Sequence, residues 1–306
     1  MPAARTNPDP VEVELGGRTV EVPAGGLYDR YRMDTDLDEV AKDPRVESVE
    51  FFRTLPRTEV RSAIGPTRTP NFYYAMSKAQ LTYLAPIAAL RSRLPRGLEP
   101  LRAAPGLGLF SVVFFRYDVC DIDFYTEAAV GIAVRPARHG RLGSADLLST
   151  LANDATHAYV LSLPVSTDIA QVRGHDGYGF PKWVTEIDVD IDDRHTSARV
   201  LNDAGGIDVA LEAPTPSQTR VPSGTSVSTL TSYTRLGGGW NATLSQTNNL
   251  AGGGRLLPRG VSLQLGDGRL SSDVRSLEPI RMLRYEVFTD CQNALHIPVP
   301  VSMPDR

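Results

Sequence analysis

Leu109-Phe110-Ser111-Val112-Val113-Phe114-Phe115-Arg116-Tyr117 and Glu127-Ala128-Ala129-Val130-Gly131-Ile132-Ala133-Val134 decide the fold class. β-branched and aromatic residues dominate the first run, and small or branched apolar ones the second. Neither run has the three-and-four spacing of a helix, so both predict strands. In the first, Val and Phe fall on both faces of the pleat, which implies cover on both sides, as in a barrel wall or a sandwich interior. The intervening Asp118, Asp121 and Asp123 suit a turn between strands.

Strand patterns continue on either side. Val11 to Leu15 alternates, Gly16-Gly17 turns and Thr19 to Val22 returns, which is a hairpin signature. Leu37 to Val49 is charged and weakly periodic, and Gly65-Pro66-Thr67-Arg68-Thr69-Pro70 has the composition of a loop or linker. The boundaries that follow are an N-terminal extension over 1–70, hairpin plus linker, and a β-rich domain over 71–306. Pro86 opens a helix carrying Ile87, Leu90 and Leu94, which Pro95 and Gly97 close. Ala158 to Leu163 predicts another strand, and Ser166-Thr167-Asp168 a helix start. Ile187, Val189 and Ile191 alternate with Asp188, Asp190 and Asp192, which predicts a strand with one wet face; Thr196 to Leu201 and Ile207 to Leu211 continue the meander. Threonine-rich strands and the glycine clusters at 237–239 and 252–254 fill the remainder. Many short strands with few helices favour a closed or nearly closed antiparallel barrel in a β-rich α+β fold.

Composition narrows the function. The chain has 306 residues, 41% hydrophobic and 22% charged, with a net charge of −4. That is enough chain for a core that excludes water from a site. The dispersed arginines and negative balance argue against nucleic acid, and no basic amphipathic helix points to a membrane surface. The polar, proline-containing start, Met1 to Pro10, lacks the apolar stretch of a signal peptide. Cys120 and Cys291 are too few for a disulfide framework. A cytoplasmic protein is expected.

Most motif chemistries are missing. Gly106-Leu107-Gly108 and Gly177-Tyr178-Gly179 do not complete a dinucleotide fingerprint, and no Ser or Thr follows Lys182 to make a phosphate loop. The five histidines, at 139, 157, 175, 195 and 296, have no zinc spacing, and the aspartates near Cys120 lack the rest of a calcium loop. No GxSxG elbow appears. No metal and no cofactor are expected.

Lys182 stands apart, in Arg173-Gly174-His175-Asp176-Gly177-Tyr178-Gly179-Phe180-Pro181-Lys182-Trp183. One reading has Phe180 and Trp183 covering a core while Lys182 carries its charge to water. The other has a desolvated amine that loses its proton and attacks a ketone to form an imine. Glu127, at the head of an apolar strand after Tyr125-Thr126, is open in the same way. It reads either as a strand-end carboxylate in water or as a buried general acid facing a cavity.

Gly174 and, eight residues on, Phe180-Pro181-Lys182 resemble the active-site segment of the acetoacetate decarboxylase family. Tyr125-Thr126-Glu127 is similar to that family's Tyr-Thr-Glu, and Ala85 to Pro95 with Leu98-Glu99-Pro100 to its early helix and ending. The resemblance spans about residues 72 to 215 in order, continuing to about 290. It implies an acetoacetate decarboxylase-like barrel with few short helices, an imine-forming Lys182 and a Glu127 that moves protons. It also implies a homo-oligomer and a small oxo acid or ketone as substrate. Tyr125, Phe180 and Trp183 would keep the pocket dry, and His175 and Tyr178 would orient the substrate.

Three departures bear on the chemistry. The family's second lysine is Trp183 here, so activation falls to apolar burial. A second family glutamate aligns with Val112, and the family's substrate-carboxylate arginine falls near Met76, with neither Arg68 nor Arg91 in its place. These changes point to a Schiff-base lyase acting on an oxo acid other than acetoacetate. An aldolase–dehydratase or cyclase using the same imine is the alternative within the mechanism, and a non-catalytic binding or structural protein the alternative outside it.

Overall fold

The computed structural model describes residues 10–135 and 155–303. The segment before Pro10 and His139 lie outside the described residues. β1 (Pro10–Leu15) and β2 (Arg18–Pro23) form the expected hairpin, as do β3 (Thr58–Ser62) and β4 (Gly65–Thr69). Within the stretch 65–70, Gly65–Thr69 is therefore a strand rather than the loop or linker its composition predicts. Its backbone polar groups pair with β3, and buried Thr67 and Thr69 face inward.

The centre of the molecule is a closed barrel of seven strands. Its order is β5 (Asn71–Pro86), β7 (Leu107–Cys120), β8 (Tyr125–Ala133), β9 (Ala155–Ser162), β14 (Val227–Leu236), β15 (Gly239–Leu256) and β17 (Arg281–Leu295). β17 returns to β5 and closes the ring. All these seams are antiparallel except β9 to β14, which is parallel. The short β6 (Arg102–Ala104), β13 (Thr219–Arg220) and β18 (Val299–Pro300) pair along its edges. The helix Ile87–Arg93 starts after Pro86, where a proline without an N–H costs nothing.

A second sheet, β10 (Ile187–Ile191), β11 (His195–Leu201), β12 (Ile207–Pro214) and β16 (Ser262–Leu265), lies over one flank of the barrel. Phe110, Val112 and Phe114 of β7 point out of the barrel into this interface and are fully buried with Val200, Val209 and Leu211. Burying a side chain of that size contributes about 1.5–3 kcal/mol. The alternate residues Ser111, Val113 and Phe115 point inward and line a cavity. The both-sided apolar pattern of β7 thus has two sources: a packed outer face and the wall of a chamber. Asp188, Asp190 and Asp192 take the exposed side of β10 and its turn, as the alternation predicts.

The N-terminal residues dock on the barrel. Val13, Leu15, Val20 and Val22 pack with Ile169, Ala170 and Val172 of the helix Asp168–Asp176, while Phe51 and Phe52 pack on Phe72 and Tyr74. The aspartates between β7 and β8 secure this arrangement. Buried Asp121 accepts hydrogen bonds from Phe72 N, Tyr74 Oη and Thr35 Oγ1 and pairs with Arg57; Asp123 accepts from Leu27 N and Tyr28 N. Among the described residues no helix is long and apolar enough to cross a membrane.

Candidate active site

The barrel encloses a cavity of about 280 Å³. The inward residues of β8 are Tyr125, Glu127, Ala129, Gly131 and Ala133, so a carboxylate stands between a tyrosine end and a stretch almost without side chains. Glu127 is 6% exposed. The reading of a strand-end carboxylate in water is excluded, because the residue sits on the inward face rather than at a free end.

Lys182 reaches the same place by a chain reversal. After the helix Asp168–Asp176, Gly177 N bonds Arg173 O and Phe180 N bonds Gly174 O, so the chain folds back along the end of the helix. Gly179 makes the turn with φ at 73°, a backbone region that favours glycine. Pro181 to Val184 then runs beside Leu163 to Val165, whose N–H groups donate to Pro181 O and Trp183 O. Successive residues of this extended stretch point to opposite sides. Lys182 turns into the cavity, and Trp183 turns away to pack on the core under the second sheet, with the Arg269 guanidinium 4.2 Å from its ring centroid. The expected role of Trp183 as a pocket wall is not met.

Lys182 Nζ donates to Glu127 Oε2 at 2.6 Å, and the two side chains are 7% and 8% exposed. Tyr117 Oη donates to the other carboxylate oxygen at 3.1 Å. Lys182 does not therefore stand in purely apolar surroundings, as the loss of the family's neighbouring lysine suggests; its closest partner is a carboxylate. The 2.6 Å contact is short enough for a proton to pass directly between Nζ and Oε2. The charged pair and the neutral pair each satisfy both partners, which a lone buried amine does not achieve.

Around the pair is a tyrosine floor. The Tyr117 ring stacks on that of Tyr125 at 4.4 Å and lies 4.6 Å from Tyr73, and Tyr125 Oη bonds Tyr73 Oη at 3.3 Å. Burial, foremost, pushes all three phenols well above their ordinary range, and the Glu127 charge adds to it. They remain protonated donors. Lys182 Nζ lies 5.6 Å from the Tyr125 ring centroid.

Of the other expected residues, Tyr178 and Phe180 line the cavity and His175 does not. His175 is half exposed, with Nδ1 3.1 Å from Phe180 O, because one step beyond Gly174 on the helix is a turn of the face toward solvent.

Arg173 belongs to the site and escaped the sequence reading. It is 3% exposed, lines the cavity, and donates from Nη1 to Thr67 Oγ1 at 3.2 Å. Among the described residues it has no carboxylate partner, and Nη2 has no hydrogen-bond partner at all. Both polar atoms of the Asn71 side chain, also buried and lining the cavity, are likewise unpartnered, while the buried Tyr178 hydroxyl lies within reach of the Arg173 guanidinium. Burial raises the Tyr178 phenol against the pull of the nearby Arg173 guanidinium. Buried groups left without partners call for a ligand or water, and a buried guanidinium beside a tyrosine, with no acid paired to it, suits a carboxylate. An arginine one residue before Gly174 is visible in the sequence; that it faces the cavity is not.

Comparison with known proteins bears on the family and the fold. The family model described as acetoacetate decarboxylase (ADC) matches residues 54–213, upstream of the expected boundary at 70. Acetoacetate decarboxylase from Legionella pneumophila shares the fold with a TM-score of 0.55 at 14% identity, over 84% of this chain and 97% of that one. A structure described as the enduracididine biosynthesis enzyme MppR complexed with pyruvate gives 0.51 at 16% identity, over 77% of this chain and 91% of that one. No curated protein matches the sequence.

Proposed function

This chain belongs to the acetoacetate decarboxylase family, and on that premise we propose that it is an imine-forming enzyme acting on an oxo acid. The single observation that carries the reading is the 2.6 Å contact between Lys182 Nζ and Glu127 Oε2 inside a closed barrel. In this reading Glu127 takes the proton, and the free amine adds to the substrate ketone. Water leaves, and the resulting iminium withdraws electrons from the neighbouring carbon. Loss of CO₂ or of a proton gives an enamine, which Glu127 reprotonates before water releases the product and restores Lys182. Arg173, Tyr178 and Asn71 would hold the substrate carboxylate, in place of the arginine missing near Met76.

One observation favours carbon–carbon bond formation over decarboxylation as the outcome. The inward face of β8 continues from Glu127 to Ala133, about 20 Å at 3.3 Å per residue, with only Ala129, Gly131 and Ala133 on it. A short oxo acid occupies one end of that length, and an aldehyde acceptor fits beyond it.

Borohydride reduction in the presence of pyruvate, followed by peptide mapping, tests the imine. The expected result is one adduct on Lys182, absent in Lys182→Ala. No adduct with any of a panel of oxo acids would overturn the reading. Pyruvate with an aldehyde then separates the outcomes: a condensation product supports the aldol course, and CO₂ release from a β-oxo acid without condensation supports the lyase.

A further inference from the structure

The cavity holds a second amine that the imine chemistry does not use. Lys78, on β5, lines the same cavity as Lys182. Its register partner on β7 is Phe115, whose partner on β8 is Glu127, so Lys78 stands two strands from the reacting pair at the same level. Two strand spacings put the backbones about 10 Å apart along the wall. Lys78 Nζ lies 4.5 Å from the Phe288 ring centroid, and no carboxylate pairs with it among the described residues. The described lining therefore includes three basic side chains, Lys78, Arg173 and Lys182, and one acidic one, Glu127. Glu127 is already committed to Lys182 and Tyr117.

A chamber with this imbalance attracts anions, and a half-buried ammonium facing it is stabilised by a negative group of the ligand. The two cations without acid partners belong to different walls, Arg173 to the helix that carries Gly174 and Lys78 to the barrel strand β5. We propose that Lys78 binds a second anionic group of the substrate, so that the ketone attacked by Lys182 belongs to an oxo acid with negative groups at both ends. This rests on the imine reading above and extends it to the substrate class. Lys78 is then a specificity-determining residue that touches the substrate away from the reacting carbon.

The test measures the concentration of oxo acid at half-maximal borohydride trapping on the full chain. 2-Oxobutyrate has no second anionic group, 2-oxoglutarate has a carboxylate and 3-phosphonopyruvate a phosphonate. The expected result is trapping of at least one of the dianionic acids at a concentration about tenfold or more below that for 2-oxobutyrate. Lys78→Met should lower that ratio about tenfold, and Lys78→Arg, which keeps the charge, should retain most of it. Matching far-UV circular dichroism and thermal midpoints establish that both variants fold. If Lys78→Met fails to fold, Lys78→Gln and Lys78→Arg compared with each other give the same readout. A ratio near one in the unaltered protein, or a ratio that Lys78→Met leaves intact, overturns the assignment while the imine stands. Absence of any adduct on Lys182 overturns both.

Discussion

Gly174 lies directly against Lys182: a Cβ placed on Gly174 would overlap Cδ and Cε of the lysine and crowd Nζ. The eight-residue interval between them is the length of chain needed to finish the helix Asp168–Asp176, turn at Gly179 and return along its end. The glycine is needed for space, since the helix turn closest to the Lys182 amine has no room for a side chain.

Gly174→Ala should therefore displace the Lys182 side chain while the helix keeps its backbone. Misplacing a reacting group by about 1 Å costs on the order of 10²-fold in rate, so imine trapping should fall by about that factor. The fold should lose only about 1–3 kcal/mol, the ordinary cost of overpacking. Parallel measurement of trapping rate and urea midpoint checks this, and trapping at the original rate would show that the contact is not needed.

Glu127→Gln removes the proton acceptor and leaves the amine beside a neutral amide. General acid–base groups contribute about 10²–10⁴-fold, and turnover should fall within that range. Breaking a buried pair by removing one partner costs about 3–5 kcal/mol while the remaining group stays charged, so stability should also fall near neutral pH. A variant with full turnover would remove Glu127 from the chemistry.

Arg173→Met should cost affinity for the carboxylate more than it costs the imine step. The expected readout is a rise of about tenfold or more in half-saturating oxo acid, with a much smaller change for a simple ketone lacking the carboxylate. Equal losses for both would give Arg173 a packing role through Thr67 instead.

Burial pushes the Asp123 carboxyl up to about 6 from 3.8, against the Leu27 and Tyr28 N–H groups that favour its charge. Between those two values the folded state holds a proton that the unfolded state has lost. Stability should therefore fall as pH rises from about 4 to about 6, by up to about 3 kcal/mol, and not fall further from this cause above that window. Asp123→Asn should flatten this limb in denaturant midpoints measured across the same pH range. An unchanged slope would place the titration on another group.

Much of this architecture is legible in local pattern. Alternation identified β10 because a strand with two different environments must alternate, β7 and β8 showed as β-branched, aromatic and small apolar runs without helical spacing, and Pro86 marked a helix start because its fixed φ suits that position. Gly65 to Pro70 misled because proline and glycine in a short edge hairpin have the composition of a loop, and its pairing with β3 depends on residues the local window does not include.

Lys182 and Glu127 could be singled out from the sequence alone, as an ammonium among aromatics and a carboxylate heading an apolar strand. Only the tertiary structure decided that they meet, because barrel closure and the turn after Gly174 bring together groups 55 residues apart. It also decided which side of each element faces the chamber. A period of two separates the faces of a strand without saying which is inside when both are covered. Trp183 therefore went outward, while Arg173 and Lys78, unremarkable in sequence, became walls of the cavity.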